Sequence, residues 1–124
     1  MKRTDGIPYD ALEKLFHEPN RLAILSALCA ADKGLSFNEL KETCGLTDGN
    51  LNRHLKVLQE SGAVEIRKTF VGAKPRTTVI ISRQGLDRFS EYLDALSTVL
   101  KAAKRAVPAE KKSAAMLLGR PVTA

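Results

Sequence analysis

The sequence predicts an α+β fold, mostly helical, in which four short helices lead through a β-hairpin into a long last helix. Three observations carry that prediction. Apolar residues recur at spacings of three and four in a series of short segments. Two stretches on either side of a glycine-containing turn alternate with period two. The segment Arg83 to Ala106 then sustains a heptad-like apolar stripe. With 124 residues, 44% of them hydrophobic, the chain suffices for one domain around one core.

The first helix is expected within Pro8 to Phe16, where Leu12, Leu15 and Phe16 share a face. Pro19, suited to a first helical position, opens a second helix that runs to Ala31, with Leu22, Leu25, Leu28 and Cys29 on one side. Ser36 and Glu39 make a capping box for the third helix, Leu35 and Leu40 complete a hydrophobic staple, and Gly45 ends it. Only Leu46 separates Gly45 from Thr47, the N-cap of the fourth helix, so the two helices must cross steeply as a helix–turn–helix. That helix carries Leu51, His54, Leu55 and Leu58 on one side and ends at Ser61-Gly62. Val64 to Phe70 and Thr77 to Ile81 read as strands, with Val71 to Pro75 as the turn between them. Ser82 caps the last helix, which at about 36 Å is longer than one domain of this size needs. Much of its stripe is therefore expected to meet a second subunit. Residues 1–106 thus make one domain, including a dimerisation helix over 83–106, and 107–124, broken by Gly119 and Pro121, a flexible basic tail.

Net charge is +6, and its distribution is uneven. Residues 1–46 hold six Lys/Arg against seven Asp/Glu, whereas residues 47–83 hold seven against three. The positive excess falls on the fourth helix and the hairpin, which suits a polyanionic partner. On the outer face of the helix, Arg53 can fork onto guanine, Asn50 or Asn52 can pair with adenine, and Asp48 can accept from cytosine. Gly49 permits close approach, Lys56 adds a cation, and the N-terminus capped by Thr47 favours a phosphate oxygen. The bland alternative is a solvated helix face on which Asp48 only complements the dipole. Arg67, Lys68, Lys74 and Arg76 add cations around the hairpin loop, within reach of phosphates or a narrow minor groove. A basic hairpin after such a helix is a wing, although edge lysines also discourage sheet aggregation.

No phosphate loop, GxGxxG or catalytic cluster of His, Cys and carboxylates is present in the sequence, which argues against an enzyme and implies no cofactor. Cys29, Cys44 and His17 lie too far apart in sequence to suggest a metal site, and both cysteines are expected as small buried hydrophobes, not as a disulfide. His54, on the packed side of its helix, is expected to be partly buried. Met1-Lys2-Arg3 leads into Thr4-Asp5-Gly6 instead of an apolar signal, and no apolar run approaches the ~20 residues of a membrane span. The expectation is a cytoplasmic protein without a membrane partner.

The order of elements, with "HEPNRLAILSAL" and the runs "GLTDGNLNRHLKVLQESG" and "KTFVGAKPRTT", resembles the small winged helix-turn-helix transcriptional regulators of the ArsR and MarR groups over roughly residues 8 to 105. The resemblance implies a homodimer joined through its terminal helices, here Leu12, Phe16, Phe89, Tyr92, Leu93, Leu96, Val99 and Leu100. It implies that Thr47 to Lys56 enter the major groove of duplex DNA at a palindromic operator, that Lys74, Arg76 and Thr77 lie at the wing tip, and that transcription is regulated, usually by repression. The paired cysteines or His/Asp clusters of metal-sensing relatives have no counterpart here, and no residue points to a particular effector. A winged-helix module for protein contacts, without DNA binding, is the competing reading.

Overall fold

Each helix among the described residues begins at a side chain that accepts from the backbone N–H groups a helix leaves free. In a computed structural model that describes residues 13–108, Glu18 accepts from Arg21 N at 2.8 Å and starts α1 (Pro19–Cys29). Ser36 accepts from Glu39 N at 3.1 Å while Glu39 accepts from Ser36 N at 2.8 Å, the predicted capping box, and α2 (Phe37–Cys44) follows. Gly45 closes α2 in the left-handed conformation. Thr47 caps α3 (Asp48–Glu60) and Ser82 caps α4 (Arg83–Ala106).

Among the described residues, three strands accompany the helices. β2 (Val64–Val71) and β3 (Lys74–Ile81) form the hairpin, and β1 (Leu35–Ser36) adds to the other edge of β3, in the order β1-β3-β2. The hairpin is longer than the sequence predicts. Val71 pairs with Lys74, so the turn is only Gly72-Ala73, with Gly72 alone at positive φ, as a type II′ turn requires at its first central position. Pro75 joins the strand because its partner Phe70 is a non-hydrogen-bonded neighbour and β1 does not reach that far, so its missing N–H is not needed. β1 itself was not predicted: Leu35 and Ser36 carry the staple and the cap, and their pairing with Val79 and Thr78 appears only once β3 lies alongside.

The core joins Ile24, Leu25 and Leu28 of α1, Leu40 of α2, Leu51, Leu55 and Leu58 of α3, and Val64 and Val79 of the sheet. Phe16, Phe89 and Tyr92 belong to it as well, which corrects their assignment to a dimer interface: none is more than 1% exposed. The Phe16 ring meets Phe89 edge-on at 5.7 Å and Tyr92 at 5.8 Å. Arg88 closes the cluster, with its guanidinium over Phe16 and hydrogen bonds to Ser61 O at 3.1 Å and Glu13 at 2.7 Å. The predicted stripe on α4 is in fact two adjacent stripes. Gly85, Phe89, Tyr92 and Ala95 pack inward, Gly85 so closely on Ala63 that a Cβ would collide with its backbone. Leu86, Leu93, Leu100 and Val107, seven residues apart, stay 41–50% exposed.

Other boundaries also shift. α1 ends at Cys29 instead of Ala31, and Cys29 is exposed because Ile24, Leu25 and Leu28 take the buried side. Cys44 is half-buried, and both thiols are free. Of the first predicted helix, Leu12 and the residues before it lie outside the described residues, and Lys14 to Phe16 form a turn. Of the predicted tail, only Val107 and Pro108 are described.

Phe89→Ala would leave a cavity beside Phe16 and Tyr92. It is expected to cost about 3–5 kcal/mol of folding free energy by urea unfolding.

Candidate nucleic-acid interface

The Gly45-Leu46 link is so short that α2 and α3 meet at their facing ends, where an ion pair spans the turn. Lys41 Nζ lies 2.8 Å from the Asp48 carboxylate. Asp48 therefore already has a partner at the start of α3, a role within the helix–turn–helix that the sequence did not suggest. Beyond it, Gly49, Asn50, Asn52, Arg53 and Lys56 are all exposed, and nothing lies within 4 Å of where a Gly49 Cβ would stand. Arg53 donates to Asn50 Oδ1 at 3.4 Å, one turn apart, so the two groups suited to base edges rest against each other. Leu51, His54, Leu55 and Leu58 hold the opposite face in the core.

The hairpin meets this helix across an open groove of about 420 Å³ lined by Ser36, Phe37, Asn38, Asn52, Pro75, Arg76 and Thr77. α3 and the hairpin thus share one surface. Ser36, Phe37 and Asn38 join it because β1 pairing draws the start of α2 against β3. That signal is absent from the sequence, where only the cap could be read. Arg76 reaches across to Glu39 at 3.1 Å. The Ser36 backbone N–H, then its hydroxyl, and last Arg76 hold the Glu39 carboxyl below its ordinary range. Both partners of this pair are largely exposed, so it holds the guanidinium only weakly and leaves it available for exchange. Thr77 is half-buried in the groove instead of at the tip, and Lys74 flanks the turn.

Behind α3 sits a buried polar junction. His54 is 4% exposed, and Arg21 donates to its Nδ1 at 3.3 Å. Arginine only donates, so Nδ1 keeps its lone pair and Nε2 carries the proton, which points toward the Glu18 carboxylate at 3.9 Å; the Asn20 amide nitrogen at 3.5 Å, itself a donor, makes no hydrogen bond to it. Arg21 also donates to Leu15 O at 2.6 Å. One guanidinium thereby links the N-terminal turn, α1 and α3. Burial lowers the His54 pKa, Glu18 opposes the shift, and Arg21 and Arg53 add to it. Among the described residues, no group of three or more His, Cys, Asp or Glu side chains is arranged to hold a metal ion, and no helix is long and apolar enough to cross a membrane.

Comparison with known proteins agrees with this geometry. The family model for the winged helix DNA-binding domain matches residues 20–100. The uncharacterized HTH-type transcriptional regulator YceK of Bacillus subtilis is 31% identical over 75% of this chain and 86% of its own. The structure of a transcriptional regulator homologue from Pyrococcus horikoshii superposes with a TM-score of 0.70 at 27% identity, covering 77% of this chain and 94% of that one. A MarR family transcriptional regulator from Silicibacter pomeroyi shares the fold, with a TM-score of 0.55 at 18% identity, covering 87% of this chain and 71% of that one.

Because the fold depresses the His54 pKa, the unfolded chain binds the proton more readily. Stability from this group is present above the ordinary value of 6.5 and is lost as pH falls through the lowered one. Denaturant midpoints measured from pH 7.5 downward are expected to drop below about pH 6.5 in the wild type and to drop less in His54→Gln.

Proposed function

This chain belongs to the winged helix DNA-binding domain family, a family of transcription regulators and not of enzymes, and on that premise we propose that it acts as a homodimer that reads a palindromic duplex and represses transcription. The observation that carries the reading is the groove in which Asn52 of α3 stands beside Pro75, Arg76 and Thr77 of the wing. In this reading α3 enters the major groove. Arg53 and Asn50 read base edges, Asn52 and Lys56 flank them, and the N-terminus at Thr47 and Gly49 meets a phosphate. Asp48 holds Lys41 and orients the helix. Lys74 and Arg76 contact the backbone, the second by exchanging Glu39 for a phosphate oxygen.

The dimer surface in this reading is the outer stripe of α4. Leu86, Leu93, Leu100 and Val107 repeat every seven residues, and Leu93, Leu96 and Leu100 line a shallow cleft with Ser97, Lys101 and Lys104. A stripe of that period matches a second copy of the same helix, because the heptad keeps two crossing helices in register. Val99, half-buried, borders it. Two copies of α3 would then meet successive major grooves about 34 Å apart.

Selection of binding sites from random duplexes is expected to recover an inverted repeat, and recovery of no preferred sequence would overturn the reading. Arg53→Ala is expected to cost about 1–3 kcal/mol at one base pair while leaving the others discriminated, measured by competition among single-substitution duplexes. Leu93→Glu with Leu100→Glu is expected to give monomers in sedimentation equilibrium and to abolish tight binding to the repeat. A dimer that persists would place the interface elsewhere.

A further inference from the structure

The wing carries an apolar tip that the fold does not use. Phe70 is 72% exposed and Val71 61%, more than any other large hydrophobic residue among those described. Strand alternation shows which way Phe70 faces. Val64 and Ile66 of β2 turn toward the core, so Lys68 and Phe70 continue that same face, opposite Thr77 and Pro75. Thr77 and Pro75 line the groove with Asn52. The Phe70 side chain therefore leaves the sheet on the side that carries α3, beyond the point where the domain has anything to pack against it.

Charge selects the occupant. From Arg67 to Arg76 the hairpin has four cations and no acidic residue; Arg67 pairs with Glu65 at 2.9 Å and Arg76 with Glu39 at 3.1 Å, and Lys68 and Lys74 lie nearest the tip. An aromatic side chain that shares its face with Lys68, on a tip whose other face carries Lys74 and Arg76, suits a surface with anionic walls and an apolar floor, which is the minor groove of a duplex, lined by phosphates and floored by sugar and base edges. β1 pairs no farther than Thr78, so the five strand positions from there to the turn, at about 3.3 Å each, project roughly 16 Å beyond the three-stranded part of the sheet.

We propose that Phe70, held against Pro75 by the two-residue turn, is a wedge that enters the minor groove flanking the α3 footprint and favours an easily unstacked pyrimidine–purine step there. The inference rests on the DNA-binding reading above. It assigns specificity at the flank to shape and deformability instead of base-edge hydrogen bonds.

The test compares wild type, Phe70→Ala and Phe70→Leu on a duplex recovered by selection, with 2-aminopurine placed half a turn outside the α3 footprint. Phe70 is exposed, so both variants are expected to keep the wild-type melting temperature. Phe70→Ala is expected to bind roughly tenfold more weakly with an unchanged salt slope, because apolar burial is lost and no charge is removed. The 2-aminopurine fluorescence is expected to rise on binding of wild type and Phe70→Leu and not of Phe70→Ala. Wild-type affinity for Phe70→Ala, or a fluorescence signal that wild type leaves unchanged, overturns the wedge alone. A change in the sedimentation of Phe70→Ala assigns the ring to a protein interface and also overturns it. If the wild type binds no duplex, the wedge and the regulator reading fall together.

Discussion

The pairing of Leu35 with Val79 and of Ser36 with Thr78 joins the helix–turn–helix to the hairpin, and the candidate interface depends on that junction. Without it, α2 and α3 would still cross steeply, because Gly45 and Leu46 leave no slack, but the hairpin would be aimed relative to α3 only by the packing of Val64 and Val79 in the core. With it, the capped start of α2 lies against β3, Arg76 comes within reach of Glu39, and Asn52 faces Pro75 and Thr77 across one groove. Two backbone pairs in a short strand are little stabilisation by themselves. Their effect is geometric, since the side chains on either side of them already belong to a packed core.

A second set of contacts ties α3 to the rest of the molecule from behind. Arg21 holds the carbonyl of Leu15 and the imidazole of His54, while Phe16 sits among Phe89, Tyr92 and the Arg88 guanidinium. The N-terminal turn, α1, α3 and the first half of α4 thus pack into one unit. A buried imidazole that accepts from a guanidinium is oriented without requiring charge, which matches the burial that disfavours its protonation. The outer stripe of α4 begins on that same unit and continues past it, so a partner helix seated there would be coupled to α3 through packed side chains.

Membership of the winged helix family accounts for the layout, and the particular residues give it character. Cations and amides on α3 are common to many polar helix faces. In this chain they share a surface with a wing whose end projects an exposed aromatic ring. Electrostatic attraction to a duplex is long-ranged and indifferent to sequence, whereas an inserted side chain samples groove shape at a few ångströms. The two act on different scales and are separable by salt.

Sequence alone determined the Pro19 start of α1, the caps of α2, α3 and α4 at Ser36, Thr47 and Ser82, the short link that forces α2 and α3 to cross, the existence of a hairpin and the excess of positive charge in the middle of the chain. These are local properties: a cap, a turn or an alternation is set by residues within a few positions of one another. Tertiary structure decided what depends on distant partners. Helical spacing alone could not separate the two neighbouring stripes of α4, and only the presence of Phe16 against Phe89 and Tyr92 shows that one of them is core. Likewise Asp48 and Arg76 look free in the sequence, and find Lys41 and Glu39 through the fold. Leu35 and Ser36 become a strand only because β3, more than forty residues later, presents the backbone that completes their hydrogen bonds.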